Sequence, residues 1–506
     1  MTPSPRVALC YRCEDRDAED LFCRVVPSGL LSLHGWLRSS GVDSRLFNFS
    51  GRPWAAVGRA LAGFAPAVVG VSHFTYNHAS SARLYREARR ACPGALLVAG
   101  GAQATFLDAE LLARIPELDL VVRGEGEAAL LEIVRRRAAG QSGWPEVPGL
   151  AWREEGGSRR SADARLRENL DAFHGPERFE ALEGIRPEEQ FPFVVTTRGC
   201  PARCNFCSSP GLWHCRVRAR SVESVLAEVR LLHGRFGLDY LGIRDDTFSA
   251  DRGRVLEFCR ALEEERLGVL WNCQSRVTLV DEAMLLAMKR AGCDQVQFGI
   301  ESASPAVQRR LNKPVPPGRI RAALAACRRA GILSSAYFIT GVPGQGEADL
   351  EADRDLFRHD RLQDGIVSPL AYFPGTALFE AAERAGEADR EIFLRDEPEA
   401  LHVRRDPAAR GQYRSLVAFI ERWRSRNAFS RAEIEGYLDR TGRCPGALLD
   451  LARHWESAGD PESARACYQE ILQRSPRHPW ARRGLAALVP GPRPHGPARN
   501  DRSRRA

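Results

Sequence analysis

The chain has 506 residues, a formal net charge of +8, 14 cysteines and 44% hydrophobic residues, which excludes intrinsic disorder and fibrous repeats and exceeds one ordinary domain. No run of about 18 apolar residues occurs, and Met1 to Arg6 has no basic flank leading into an apolar stretch, so a cytoplasmic protein with no membrane span is expected. In that reducing compartment the cysteines are buried small hydrophobes, reactive thiols or metal ligands, not a disulfide framework.

From Arg6 to Ala139 short apolar runs alternate with helical spacing. The runs are Val7 to Cys10, Arg45 to Asn48, Ala67 to Val71, Ala95 to Val98 and Leu118 to Val122, separated by Leu30 to Ser39, Trp54 to Gly63, Ser80 to Ala91 and Ala109 to Ile115. This predicts an α/β fold with a doubly wound, Rossmann-like parallel sheet over residues 1–140. Ligands bind such sheets beyond the strand carboxyl ends. There stand Ser72, His73 and Thr75, then Gly100 and Gly101, then Arg123-Gly124-Glu125-Gly126-Glu127. Residues 141–190, rich in Gly, Pro and charge, read as a linker with a small hairpin around Leu150 to Arg153.

A second alternation follows over 191–405, with strands at Phe193 to Thr197, Tyr240 to Ile243, Leu270 to Gln274, Gln295 to Ile300, Ser335 to Thr340 and Gly365 to Leu370. Six strands with intervening helices predict a partial (β/α)6 TIM-type barrel, whose site lies at the strand carboxyl ends. Residues 406–489 turn all-α. Within them Leu448 to Pro476 match one tetratricopeptide repeat, which cannot bury its apolar face alone. Pro490 to Ala506 reads as a disordered basic tail. Its five arginines against one aspartate supply +4 of the +8, leaving a nearly balanced body in which nucleic-acid binding is not expected. Only Lys289 and Lys313 are lysines, so arginine carries almost all the positive charge.

The motif that carries chemistry is Cys200-Pro-Ala-Arg-Cys204-Asn-Phe-Cys207, directly after the first strand of the second region. Three thiolates on one loop can converge on a soft metal centre. A structural zinc wants four ligands, here completed by His214 or Cys215, whereas three cysteines on a four-iron cluster leave one iron open to a small molecule. Cys10, Cys13 and Cys23 form a second group, read as packing thiols. Cys273 stands at a strand end that would face the site, and the remaining cysteines read as packing residues.

The CxxxCxxC pattern, with Phe206 before its last cysteine, resembles the radical S-adenosylmethionine (radical SAM) enzymes. The order of later motifs agrees: Arg244-Asp245-Asp246-Thr247-Phe248, Asn272-Cys273-Gln274-Ser275-Arg276, Gly299-Ile300-Glu301-Ser302, Thr340-Gly341-Val342-Pro343-Gly344 and Phe373-Pro374-Gly375-Thr376. The resemblance implies that Cys200, Cys204 and Cys207 hold a [4Fe-4S] cluster whose open iron takes S-adenosylmethionine. It also implies ribose contacts near Glu301 and Ser302 and adenine against the backbone from Gly341. Arg276 suits the carboxylate, since a guanidinium grips carboxylate bidentately. Asp245 and Asp246 stand either at the ligand or as caps of the next helix.

The first domain, with Val69-Gly70-Val71-Ser72, Val98-Ala99-Gly100-Gly101 and Arg123 to Glu127, resembles the cobalamin-binding domain fused to one radical SAM subclass. Ser72, Gly100, Gly101, Gly124 and Glu125 are then its cofactor contacts. The Asp-x-His-x-x-Gly signature of a lower axial histidine is absent, and His73 and His78 are weighed mainly as structural histidines. The resemblance implies reductive cleavage of S-adenosylmethionine to a 5′-deoxyadenosyl radical, with C-methylation of an unactivated carbon in a natural-product, lipid or peptide substrate. A flavodoxin or ferredoxin would supply electrons, and the C-terminal helices are a candidate surface for a protein partner. Ring closure or rearrangement without methyl transfer stays open. An RNA methylthiotransferase is opposed by the nearly neutral body and the helical end.

Overall fold

The computed structural model describes residues 5–14, 24–141, 143–190, 192–395, 397–424 and 426–488. Cys23 and the basic tail lie outside them. Sixteen strands are present among the described residues: β1 Val7–Tyr11, β2 Ser44–Asn48, β3 Val68–Ser72, β4 Leu96–Gly100, β5 Leu120–Val122, β6 Leu150–Glu154, β7 Gly157–Arg160, β8 Leu182–Glu183, β9 Phe193–Val194, β10 Thr197–Arg198, β11 Arg218–Ala219, β12 Tyr240–Ile243, β13 Leu270–Ser275, β14 Cys293–Glu301, β15 Leu333–Thr340 and β16 Asp364–Pro369.

The first sheet has the order β7-β6-β5-β4-β3-β1-β2-β8. Its five central strands pair in parallel, and β1 lies between β2 and β3. The order therefore reverses between β1 and β3, and a ligand crevice is expected beyond that point. Strand alternation separates two cores. Val7, Leu9, Val68, Val98 and Leu120 face the helices Ser28–Ser39 and Glu127–Ala138, while Ala8, Cys10, Val69, Leu97 and Val121 face the other layer. The 141–190 stretch, which composition marks as a linker, builds onto both sheet edges. The β6–β7 hairpin continues β5 antiparallel, and β8 joins β2 in parallel.

The second sheet runs β16-β15-β14-β13-β12-β9, with its pairings parallel, as the open partial barrel requires. Its first predicted strand splits into β9 and β10. The reason is Asp245, whose Oδ1 accepts from Thr196 N at 2.6 Å and Thr197 N at 3.0 Å. A side chain thus takes amides that a ladder would use. β10 instead forms an antiparallel ribbon with β11. The barrel's outward positions, among them Trp271, Cys273, Val296 and Phe298, are buried under helices.

The core of the first sheet continues without a break into the barrel. On the opposite side Tyr372, Phe379, Ile392 and Phe393, which follow β16, pack into the first sheet's second core. The C-terminal helices Arg431–Thr441, Pro445–Ser457, Pro461–Arg474 and Pro479–Ala487 bury their apolar faces together with Leu270 at the start of β13. Trp480 Nε1 donates to Asp239 O at 3.2 Å, just before β12, and Lys289 Nζ donates to Asp450 Oδ2 at 2.6 Å. The repeat thus finds its burial partner in the end of the barrel where strands begin. No helix among the described residues is long and apolar enough to cross a membrane.

Candidate active site

The crevice predicted at the strand reversal is a cavity. It spans about 1260 Å³, counting space open to solvent, between the carboxyl ends of the first sheet and the entry to the barrel. Ser72, Gly100, Gly101, Gly124 and Glu125 line it from one side, and Arg198, Gly199, Arg244 and Asp246 from the other. Leu9, Leu30, Leu33 and Leu130 give it an apolar depth. Gly124 has φ +74°, and a Cβ there would meet nothing within 4 Å, so any side chain would intrude into open space. A large cofactor with apolar surface fits a cavity of this volume and lining better than a compact metabolite.

Other residues expected at this site differ in role. Gly101 is required by a close approach, since a Cβ would come within 2.9 Å of His73 O. His73 lies fully buried, with Nε2 3.0 Å from His78 Nδ1. Burial, followed by the neighbouring His78, lowers its pKa well below the ordinary imidazole value. His73 is therefore a neutral packing histidine turned away from the cavity. Glu125 is engaged by protein on both oxygens: Oε1 accepts from Arg198 Nη1 at 2.7 Å and Oε2 from Arg218 Nη1 at 2.9 Å.

Beside the cavity, the loop from Cys200 to Cys207 leaves the β10–β11 ribbon. Gly199, at φ +102°, admits no side chain because Arg216 O occupies the Cβ position. Backbone contacts on the far side hold the loop. Asn312 Nδ2 donates to Arg203 O at 2.7 Å, Asn205 Nδ2 to Arg310 O at 2.7 Å, and Leu378 N to Asn205 O at 2.8 Å. Phe206 packs against Val307, Leu311, Ile339, Val342 and Leu370. Cys200 Sγ lies 3.2 Å from Thr247 Oγ1, and Arg276 Nη1 lies 3.9 Å from Cys204 Sγ.

Burial raises the Cys207 thiol to about 11, with smaller contributions from Asp246 and the two neighbouring thiols. Bound iron would reverse that penalty by favouring thiolates. Among the described residues no three His, Cys, Asp or Glu side chains converge on a single ion. A structural zinc would need a fourth protein ligand, whereas three cysteines on a four-iron cluster leave one iron open.

At the end of β14, Glu301 is held in left-handed backbone, φ 64°, beside a register shift. Its Oε1 accepts from the buried Lys313 Nζ at 2.7 Å. Ser302 is fully buried and donates to Asp353 Oδ1 at 2.9 Å, so its hydroxyl serves the loop. Gly341, at φ +75°, faces the Cβ atoms of Arg404 and Ala409, each 3.9 Å from its own Cβ position. Neither Asp245 nor Asp246 caps the next helix, whose cap is Asp251. Asp245 ties down Thr196 and Thr197, and Asp246 Oδ2 accepts from Ser209 Oγ at 2.6 Å. Cys273 points outward into the helical layer and is fully buried.

The barrel's inner face is polar: Gln274 Nε2 donates to Tyr337 OH at 2.8 Å, Tyr337 OH to Gln297 Oε1 at 2.9 Å, and Arg244 Nη1 to the same oxygen at 3.2 Å. Lys313 and Arg218 escaped the motif reading because their partners lie elsewhere in the fold. The rarity of lysine was a usable signal, since both lysines are buried in ion pairs.

Residues 194–357 match the family model described as the radical SAM superfamily, and residues 23–134 that of the B12 binding domain. An uncharacterized methyltransferase of Pyrococcus horikoshii is 30% identical over 336 residues, covering 64% of this chain and 71% of the relative. The cytidylyl-2-hydroxyethylphosphonate methyltransferase of Streptomyces wedmorensis is 28% identical, covering 67% and 69%. The fold is that of the radical S-adenosylmethionine methyltransferase TsrM of Kitasatospora setae, solved with cobalamin and a [4Fe-4S] cluster. The TM-score is 0.69 at 18% identity, over 92% of this chain and 100% of that one.

Proposed function

This chain belongs to the cobalamin-binding radical SAM enzymes, and from that premise we propose that it methylates an unactivated carbon of a natural-product, lipid or peptide substrate. The observation that carries the reading is the single cleft between the two sheets, in which the Ser72, Gly100 and Gly124 wall faces Gly199 and Asp246 beside the Cys200 loop. Two relatives with methyltransferase in their names support it. A [4Fe-4S] cluster, S-adenosylmethionine and cobalamin are the cofactors of this family, and when bound they supply one-electron cleavage of S-adenosylmethionine and a transferable methyl group.

The chain's residues would bind and exclude. Cys200, Cys204 and Cys207 would hold the cluster on a loop braced by Asn205 and Asn312. Arg276 would take the carboxylate of S-adenosylmethionine. Glu301, fixed by Lys313, would face the ribose, and Gly341 would leave backbone open to the adenine. The glycine-rich wall would admit cobalamin, while Leu30, Leu33 and Leu130 keep water from its depth. The polar inner face of the barrel would orient the substrate. Electrons would come from a one-electron donor such as flavodoxin or ferredoxin.

Anaerobic reconstitution tests the reading. The Cys200→Ala, Cys204→Ala, Cys207→Ala triple variant is expected to lose its iron and to form 5′-deoxyadenosine only at the enzyme-free background. Label from the methyl group of S-adenosylmethionine is expected in the product. Sustained cleavage by the triple variant would overturn the cluster assignment, and an unlabelled product would overturn methyl transfer.

A further inference from the structure

We infer that Arg198, with Arg218, Glu125 and Glu127, clasps the two cofactor domains so that filling one cofactor site tightens the other. Arg198 is the key member because it stands two residues before Cys200. Its Nη1 donates to Glu125 Oε1 at 2.7 Å, and its Nη2 to Glu127 Oε1 at 2.6 Å and to Ser32 Oγ at 2.9 Å. Ser32 Oγ in turn donates to Glu127 at 2.8 Å. Arg198 and Arg218 are register partners across the β10–β11 ribbon, so both guanidiniums reach the same carboxylate of Glu125 from one face.

These carboxylates belong to the first domain. They flank Gly126 at the start of the helix Glu127–Ala138, and both residues line the cavity. On the other side, the turn from Arg198 to Cys200 passes through Gly199, whose backbone is pressed against Arg216 O. A shift of Glu125 or Glu127 therefore reaches the cysteine loop through few soft torsions.

The network is dry, with side-chain exposures of 12% for Arg198, 4% for Glu125 and for Glu127, and 2% for Arg218. Salt therefore screens it little. Burial pushes the Glu125 carboxyl up, but the hydrogen bond from Arg218 and the charge of Arg198 outweigh it and hold it below the usual carboxylate range. Arg218 Nε and Nη2 are buried without a hydrogen-bond partner among the described residues, and the guanidinium lies 5.4 Å from the Trp213 ring. Two ligands that order the same network must each raise the other's affinity by the same factor.

The inference rests on the proposed cofactor sites, and a titration separates its failure from theirs. Hydroxocobalamin is titrated into the full chain, with and without the reconstituted cluster, and binding is read from absorbance. The cluster-loaded wild type is expected to bind at least about fivefold more tightly than the cluster-free protein. Arg198 lines the cavity, so Arg198→Met is expected to weaken cobalamin binding in both states while keeping its iron, and to bring that ratio to about one. Glu127→Gln, which removes the charge that Arg198 pairs with while leaving an acceptor, is expected to lower the ratio and serves where Arg198→Met does not fold. A wild type that binds no cobalamin overturns the cofactor reading. A wild type that binds equally in both states, or an Arg198→Met or Glu127→Gln protein that keeps the full ratio, overturns the clasp alone.

Discussion

At the scale of single residues, the chain places its rare or buried charges at structural joints. A second buried ion cluster sits beside the clasp, where Glu228 of the helix Val222–Phe236 meets Arg178 at 2.5 Å and also Arg220. Burial pushes the Glu228 carboxyl up, but the two guanidinium charges outweigh it and hold it at about 2, against an ordinary 4.5. Because the folded value is the lower one, this carboxylate stabilises the fold fully above pH 4.5, and the contribution is lost as pH falls toward 2. Comparison with Glu228→Gln by urea denaturation from pH 7 to 3 should show the stability gap narrowing by about 2 kcal/mol at the acid end. A gap that does not change with pH would sink this assignment. Residues of this kind are poorly legible in sequence. The cysteine loop is read from eight consecutive positions, whereas Arg198 and Glu125 are 73 residues apart, and nothing local announces the pair.

At the scale of elements, apolar runs and helical spacing make the strands and helices of both α/β regions legible, because alternation records which face meets a core. The division of Phe193 to Arg198 was not, since Asp245 diverts its amides from 49 residues away. Nor was the docking of the C-terminal helices. A repeat motif says that an apolar face must be covered but not by what, and here the barrel's strand-start end covers it. Lys289, 2% exposed, anchors that contact on Asp450, whose Oδ2 also accepts from Tyr437 OH at 3.1 Å. Asp450→Asn should strand a buried ammonium and cost about 3–5 kcal/mol in unfolding experiments. The Lys289→Met, Asp450→Leu double variant should recover most of the loss, with iron and cobalamin content per folded molecule unchanged in both. A single variant as stable as wild type would show that the pair carries no weight.

At the scale of the whole molecule, the two α/β lobes are locked from both sides of the cleft. On the side opposite the clasp, Gln103 Nε2 donates to Phe393 O at 2.9 Å, and Phe106 lies over Gly375 and Gly211. Gly375 has φ +72°, and a Cβ there would strike the Phe106 ring. Gly375→Ala should therefore cost about 2–4 kcal/mol from backbone strain and overpacking. Phe106→Ala in the same chain should return the overpacking part, a coupling that a double-mutant cycle reads directly. Additive effects of the two substitutions would refute the contact.

The covered lower end of the barrel has a consequence for truncation. Trp480, Lys289 and Asp450 hold the C-terminal helices against the end where the strands begin, away from the rim that carries the cysteine loop and the cleft. Loss of those helices would therefore lay bare the base of the barrel, with Leu270 at its edge, before it disturbed the cleft.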